Sequence, residues 1–150
     1  MDRHARILVV DDDESIRNTM KAILKDDGYV VDLAATGNGA IQKTEETAYN
    51  VVLIDIRLPD MDGVELLKRM KDAVPRTRKI IVTGYPSMQN AITALNKNAD
   101  AYLIKPVDLE KLLSTVKEQI KLQENEKKFS EQKVAGFIET RVKELSAAQV

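Results

Sequence analysis

The chain has 150 residues, 43% of them hydrophobic and 31% charged, with a formal net charge of −1 and no cysteine. That length supports one compact core and leaves too little for a second well-sized domain, and the composition is that of an ordinary globular protein rather than a disordered or membrane one. Disulfide frameworks, thiol nucleophiles and thiolate metal sites are excluded, and the near-zero net charge argues against bulk attraction to nucleic acid.

The charged start, Met1 to Arg6, leads straight into a short apolar run without the long apolar region of a signal peptide. No apolar run is long enough to cross a bilayer, so the expectation is a cytoplasmic protein with no membrane partner. Short apolar runs then alternate with segments of helical period, the rhythm of a parallel sheet covered on both faces. The predicted strands are Arg6 to Val10, Val30 to Ala34, Val51 to Asp55, Lys79 to Thr83 and Ala101 to Lys105, mostly rich in β-branched residues. A first helix over Ser15 to Asp27 aligns Ile16, Met20, Ile23 and Leu24 on one stripe, with Gly28 as a left-handed cap. A third helical segment begins near Gly63, carries Val64, Leu67 and Met70 inward and ends by Pro75; a fourth begins near Ser87. The fifth follows Pro106, with Asp108 as N-cap.

Beyond Leu122 the composition changes. Gln123 to Lys133 is almost wholly polar, and a helix there would have no obvious buried face. Apolar residues return at Val134, Phe137, Ile138, Val142 and Leu145 at helical spacing, with Gly136 as a weak point. The expected organisation is therefore a domain over residues 5–122 and a helical tail or linker over 123–150.

In an open parallel α/β sheet, ligands bind beyond the carboxyl ends of the strands. Here the first strand ends in Asp11, Asp12 and Asp13, the third in Asp55, the fourth in Thr83 and Gly84, and the fifth in Lys105 and Pro106. Two carboxylates within ~4 Å repel by about 4 kcal/mol at an effective dielectric near 20. A hard divalent cation relieves that best at neutral pH, and magnesium typically takes one or two carboxylates plus waters and phosphate oxygens. A carboxylate beside magnesium, a lysine and a hydroxyl is well placed to attack phosphorus. Asp55 stands alone at its strand end between Ile54 and Ile56, so it is assigned as phosphoacceptor, and the paired Asp11 and Asp12 as metal ligands.

The segments ILVVDDDESIR, VVLIDIRLPDMDG, IIVTGY and AYLIKP, in this order, resemble the receiver domains of two-component response regulators over roughly Ala5 to Leu122. The resemblance implies a flavodoxin-like, doubly wound five-stranded parallel sheet in the order 2-1-3-4-5, carrying a C-terminal helical extension. It implies that Asp12, Asp55 and the backbone carbonyl of Arg57 bind Mg2+ directly while Asp11 orients metal water. Thr83 and the Gly84 amide would hold phosphoryl oxygens, Lys105 would pair with the phosphate, and Lys105–Pro106 would be a cis peptide. The implied partner is a histidine kinase, and the output a population shift in which Thr83 and Tyr102 move and alter a surface read by a downstream protein. Such a chain is a regulator, catalysing only its own phosphorylation and dephosphorylation. Arg57 and Tyr85 stand where this family flanks the path of attacking water, and their bulk predicts a long-lived phosphate.

Each signal has an ordinary counterpart. Asp13, Glu14 and Ser15 read as a helix N-terminus, Asp55 alone as a loop cap, Lys105 alone as an exposed lysine, and Tyr102 as a half-buried core aromatic. Pro59 and Gly63 shape the loop after Asp55. His4 is the sole histidine and reads as an exposed terminal residue, so the phosphodonor must be another molecule. The rival enzyme class is a phosphohydrolase of the haloacid dehalogenase type, because Asp11, Asp13 and Ser15 imitate its D-x-D-x-[ST] signature, but the further acids that family needs after the fourth strand are missing. A second rival is a receiver-like module that no longer accepts phosphate. The segment from Ile80 to Leu113 resembles receivers that precede transcription-activator ATPases, so a receiver piece of a larger transcription regulator stays open. No DNA-binding or nucleotide-binding motif follows it in this chain, and the tail is a candidate homodimer element.

Overall fold

The computed structural model describes residues 5–70, 76–84, 93 and 99–148. Among these residues nine elements follow in order: β1 (Arg6–Val10), α1 (Glu14–Asp26), β2 (Val30–Ala34), α2 (Gly37–Glu46), β3 (Val51–Asp55), α3 (Gly63–Arg69), β4 (Arg78–Thr83), β5 (Ala101–Ile104) and a C-terminal helix, α4 (Leu109–Ala148). All strand pairs are parallel and the sheet order is β2-β1-β3-β4-β5, as expected. The strands match their predicted ranges to within one residue at an end. The predicted fourth helical segment from Ser87 lies outside the described residues apart from Thr93, and Pro75 and His4 lie outside them too.

Side chains alternate across the sheet, so successive strand residues feed two cores. Ile7, Val9, Leu53, Ile80 and Val82 face α1 and the first turns of α4, meeting Met20, Leu24, Leu112, Val116 and Ile120. Leu8, Val10, Val52, Ile54 and Ile81 face α2 and α3, meeting Ala40, Leu66 and Leu67. Strands buried on both faces cannot alternate with polar residues, which is why β3 reads as the continuous run VVLI before its terminal Asp55. The α1 helix starts on the Asp13 carboxylate, which accepts from the Ile16 N–H, and ends at Gly28 with φ of +98°. The sequence predicts Ser15 to Asp27, so each end lies one residue earlier than expected, with Gly28 just past the Asp27 cap. Asp108 likewise receives the Lys111 N–H at the start of α4.

The tail is helical, as expected, but it is continuous with the helix before it and part of its polar stretch is buried. Residues 109–148 form one unbroken helix, and Gly136 passes through it without interruption. Gln123, expected to open a solvated polar stretch, is buried. Its amide nitrogen donates to the carbonyls of Arg76 and Asn50, its oxygen accepts from the Asn50 side chain, and the Asn50 Oδ1 accepts in turn from the Arg6 N–H. One turn further, Glu126 accepts from Arg78 at 2.7 Å. Arg78 is itself buried, bonded to Gln119 at 2.8 Å and 3.5 Å from Asp100, which also holds Arg76 through two bonds and receives the Lys79 N–H. The helix is thus fastened to the amino-terminal ends of β1, β3 and β4. After this clamp it leaves the body, with Phe129, Val134, Phe137, Ile138, Val142 and Leu145 all more than half exposed.

Candidate functional site

At the opposite rim, the strand ends bring together the acids picked out from the sequence. Asp11 and Asp12 leave β1, Asp55 ends β3, and one carboxylate oxygen of each lies within 4.8 Å of the others. Asp11 and Asp55 are buried, and Asp12 is exposed. The β1–β3 register pairs Val10 with Ile54, so Asp11 and Asp55 follow neighbouring strand positions. Two buried carboxylates are thereby forced side by side by a register that the apolar core dictates.

Lys105 follows β5, and its N–H still donates to the Thr83 carbonyl at 2.8 Å. Its ammonium reaches across to Asp11 Oδ2 at 2.6 Å and Asp55 Oδ2 at 3.2 Å. The Lys105–Pro106 bond is cis, as the resemblance implied. Burial works against the lysine charge, but the bonds and charges of Asp11 and then Asp55 outweigh it, holding its pKa above the ordinary value. Burial likewise pushes the Asp55 carboxyl above the usual carboxylate value; the Arg57 N–H and Lys105 oppose that, while the Asp11 charge adds to it. Three carboxylates against one bonded ammonium leave an excess of negative charge facing solvent through Asp12. An all-oxygen donor set of that charge fits a hard divalent cation.

Thr83 is fully buried at the end of β4, next to Ile104 of β5, and Gly84 lies beside the Lys105 side chain. Arg57 is exposed in the loop after β3, and its N–H donates to Asp55 Oδ1 at 3.3 Å. Tyr102 packs against the α2–α3 core, and its hydroxyl is buried with no hydrogen-bond partner among the described residues. Tyr85 lies outside the described residues. Asp13, one of the three residues of the dehalogenase-like signature, is spent as the α1 cap. Sequence reasoning placed the Lys105 charge beside the carboxylates and paired it with phosphate, but did not single out Asp11 as the carboxylate it bonds most closely. It also missed Asp60, whose carboxylate accepts from the Gly37 and Asn38 N–H groups.

A five-stranded parallel sheet of this order, with an acidic cluster at its carboxyl-end rim, defines a doubly wound α/β domain of the flavodoxin-like class. The model of the response regulator receiver domain matches residues 7–117, and the chain belongs to that family. The transcriptional regulatory protein ZraR of Klebsiella oxytoca is 44% identical over 114 residues, covering 76% of this chain and 26% of that protein. The regulatory protein AtoC of Escherichia coli K12 is 36% identical over 124 residues, covering 83% of this chain and 27% of AtoC. The chain therefore spans about a quarter of the length of these relatives. A CheY-like receiver domain from Methanospirillum hungatei superposes with a TM-score of 0.74 at 43% identity, covering 81% of this chain and 98% of that one. NtrX of Brucella abortus superposes with a TM-score of 0.79 at 26% identity, covering 85% of this chain and 29% of NtrX. Family membership assigns a signalling rather than a metabolic role. Among the described residues, no helix is long and apolar enough to cross a membrane.

Proposed function

We propose that the chain is a cytoplasmic phosphoacceptor switch in which Asp55 takes a phosphoryl group from the phosphohistidine of a partner kinase, with Mg2+ as cofactor. The observation that carries this reading is the convergence of Asp11, Asp12 and Asp55, two of them buried, around one lysine. Asp12, Asp55 and the Arg57 carbonyl would hold the ion, with Asp11 orienting its water. When bound, Mg2+ would offset charge on the transferred phosphoryl oxygens. An oxygen of Asp55 attacks phosphorus, the P–N bond to the donor imidazole breaks, and an aspartyl phosphate forms. Lys105 exchanges its carboxylate bonds for the incoming phosphoryl oxygens, and the Thr83 hydroxyl and Gly84 N–H supply further donors.

The phosphoryl group adds roughly −1.5 to −2 charge beside residues that already carry an excess. Drawing Thr83 and Lys105 toward Asp55 opens space beside Tyr102 and shifts the packing of the surface around β5 and α4, which a downstream protein reads. We take residues 5–122 as the switching unit and 123–150 as its helical extension. The exposed apolar stripe of the extension fits a second copy of the chain, and a dimer molar mass that reverts to monomer without residues 127–150 would support that use.

Incubation with acetyl phosphate, read by intact mass, tests the central assignment. The expected result is a gain of one phosphoryl group per chain with Mg2+, none after chelation and none in Asp55→Asn. Repeated turnover of phosphate esters without self-labelling would instead favour a phosphohydrolase.

A further inference from the structure

Magnesium demands near-ideal octahedral geometry at about 2.0–2.1 Å, so any loop that offers it a backbone oxygen must be held to within tenths of an ångström. Arg57 sits in the loop between β3 and α3, whose base is closed by the Gly63 N–H to the Ile56 carbonyl at 2.7 Å. The fit there leaves no room for a side chain, since a Cβ on Gly63 would lie 2.6 Å from the Asp55 carbonyl oxygen. The middle is crossed by the Leu58 N–H to the Met61 carbonyl at 3.2 Å and by the bridge between Arg57 and Asp62.

The tip is fastened elsewhere. Both carboxylate oxygens of Asp60 accept bonds from the first turn of α2, from the Gly37 N–H at 2.8 Å and the Asn38 N–H at 2.8 Å. That turn has no acidic residue of its own, and its Thr36 cap satisfies only the Gly39 N–H. The next side chain, Met61, lies so close over Gly37 that a Cβ there would meet its Cγ and Sδ at 2.5 Å. The α2 turn follows directly on β2, whose last residue, Ala34, accepts the Asp11 N–H at 3.1 Å. An unbroken chain of bonds and short backbone segments therefore runs from Asp11 through Ala34, Thr36 and Gly37 to Asp60 and back to Arg57. The two N–H groups hold the Asp60 carboxyl below the usual carboxylate range, so this strut stays charged at neutral pH.

We propose that Asp60 is a positioning residue for the metal site, locking the loop that presents Arg57 to the same frame that fixes Asp11. The inference rests on the magnesium-dependent reading above. Its test is calorimetric Mg2+ titration of the full chain as wild type, Asp60→Ala and Asp60→Asn, with thermal unfolding measured in the absence of the ion. Asp60→Ala is expected to bind Mg2+ roughly 10-fold more weakly. Asp60→Asn, which keeps one acceptor oxygen, should recover part of that loss. At saturating Mg2+ the label per chain from acetyl phosphate should return to the wild-type level in both variants. Equal affinity in wild type and Asp60→Ala would overturn the inference, as would a loss in affinity no greater in Asp60→Ala than in Asp60→Asn. Failure of the wild type itself to bind Mg2+ would overturn the metal-site reading, and the inference with it.

Discussion

The two ends of one sheet carry similar numbers of charged groups and treat them oppositely. At the amino-terminal rim, Arg76 and Arg78 face Asp100 and Glu126, with Gln119, Gln123 and Asn50 absorbing further donors and acceptors. At the carboxyl-terminal rim, Lys105 bonds to Asp11 and Asp55, with the Asp12 carboxylate beside them. Buried charge is tolerated where it is paired and hydrogen-bonded, and becomes a binding site where it is not. The matched rim fixes where the C-terminal helix points; the mismatched rim has electrostatic work left to do.

Breaking one cation at each rim separates these roles. Arg78→Met should cost up to about 3 kcal/mol in thermal or denaturant unfolding, because it leaves the buried Gln119 oxygen without its donor while Asp100 keeps Arg76, and added Mg2+ should not restore the loss. Lys105→Met should cost about 3 kcal/mol without metal, and Mg2+ should recover much of it by taking over the charge of Asp11 and Asp55. If the ion rescues both variants equally, or neither, the contrast between the rims fails.

Removing a charge from the crowded rim should do the reverse. Asp55→Asn should raise unfolding stability at neutral pH, without metal, by an amount on the order of 1 kcal/mol. The sign follows from the raised carboxyl pKa: between 3.8 and the folded value, the folded chain binds more protons than the unfolded one. Stability therefore falls as pH rises through that window, and the advantage of Asn should vanish below pH 3.8. A variant no more stable than wild type at pH 7 would show that Lys105 already compensates fully.

A smaller effect is expected at Tyr102. Its hydroxyl is buried without a hydrogen-bond partner among the described residues, so Tyr102→Phe should stabilise the fold by up to about 1 kcal/mol. Destabilisation on equilibrium unfolding would mean that the hydroxyl has a favourable role in the folded state.

Most of the carboxyl-terminal rim was legible in the residues. Parallel strands buried on both faces write themselves as apolar runs, so Asp11, Asp12, Asp55 and Thr83 stand out as polar residues at run ends. The Lys105 bond to Asp11 was not legible, since the two are 94 positions apart and only the sheet order brings them together. The amino-terminal clamp left even less trace. Arg78 looks like a solvated strand flank, and Gln123 and Glu126 sit in a polar run that no periodicity marks as buried. Helix α4 reads as two pieces because its contacts change midway from an apolar stripe to three polar side chains, a change that composition registers as a boundary and the backbone does not. Asp60 was hidden for a related reason, because an acid beside proline in a loop reads as turn chemistry until α2 is seen opposite it.

The most direct test is thermal unfolding of the wild-type chain as Mg2+ is titrated, beside an Asp12→Asn, Asp55→Asn double variant. The wild type should gain about 2.7 kcal/mol at a metal concentration 100 times its dissociation constant, and the double variant should stay flat. A flat wild-type curve, or an equal rise in both proteins, would contradict the assignment of the acidic rim as the metal-binding phosphoacceptor site.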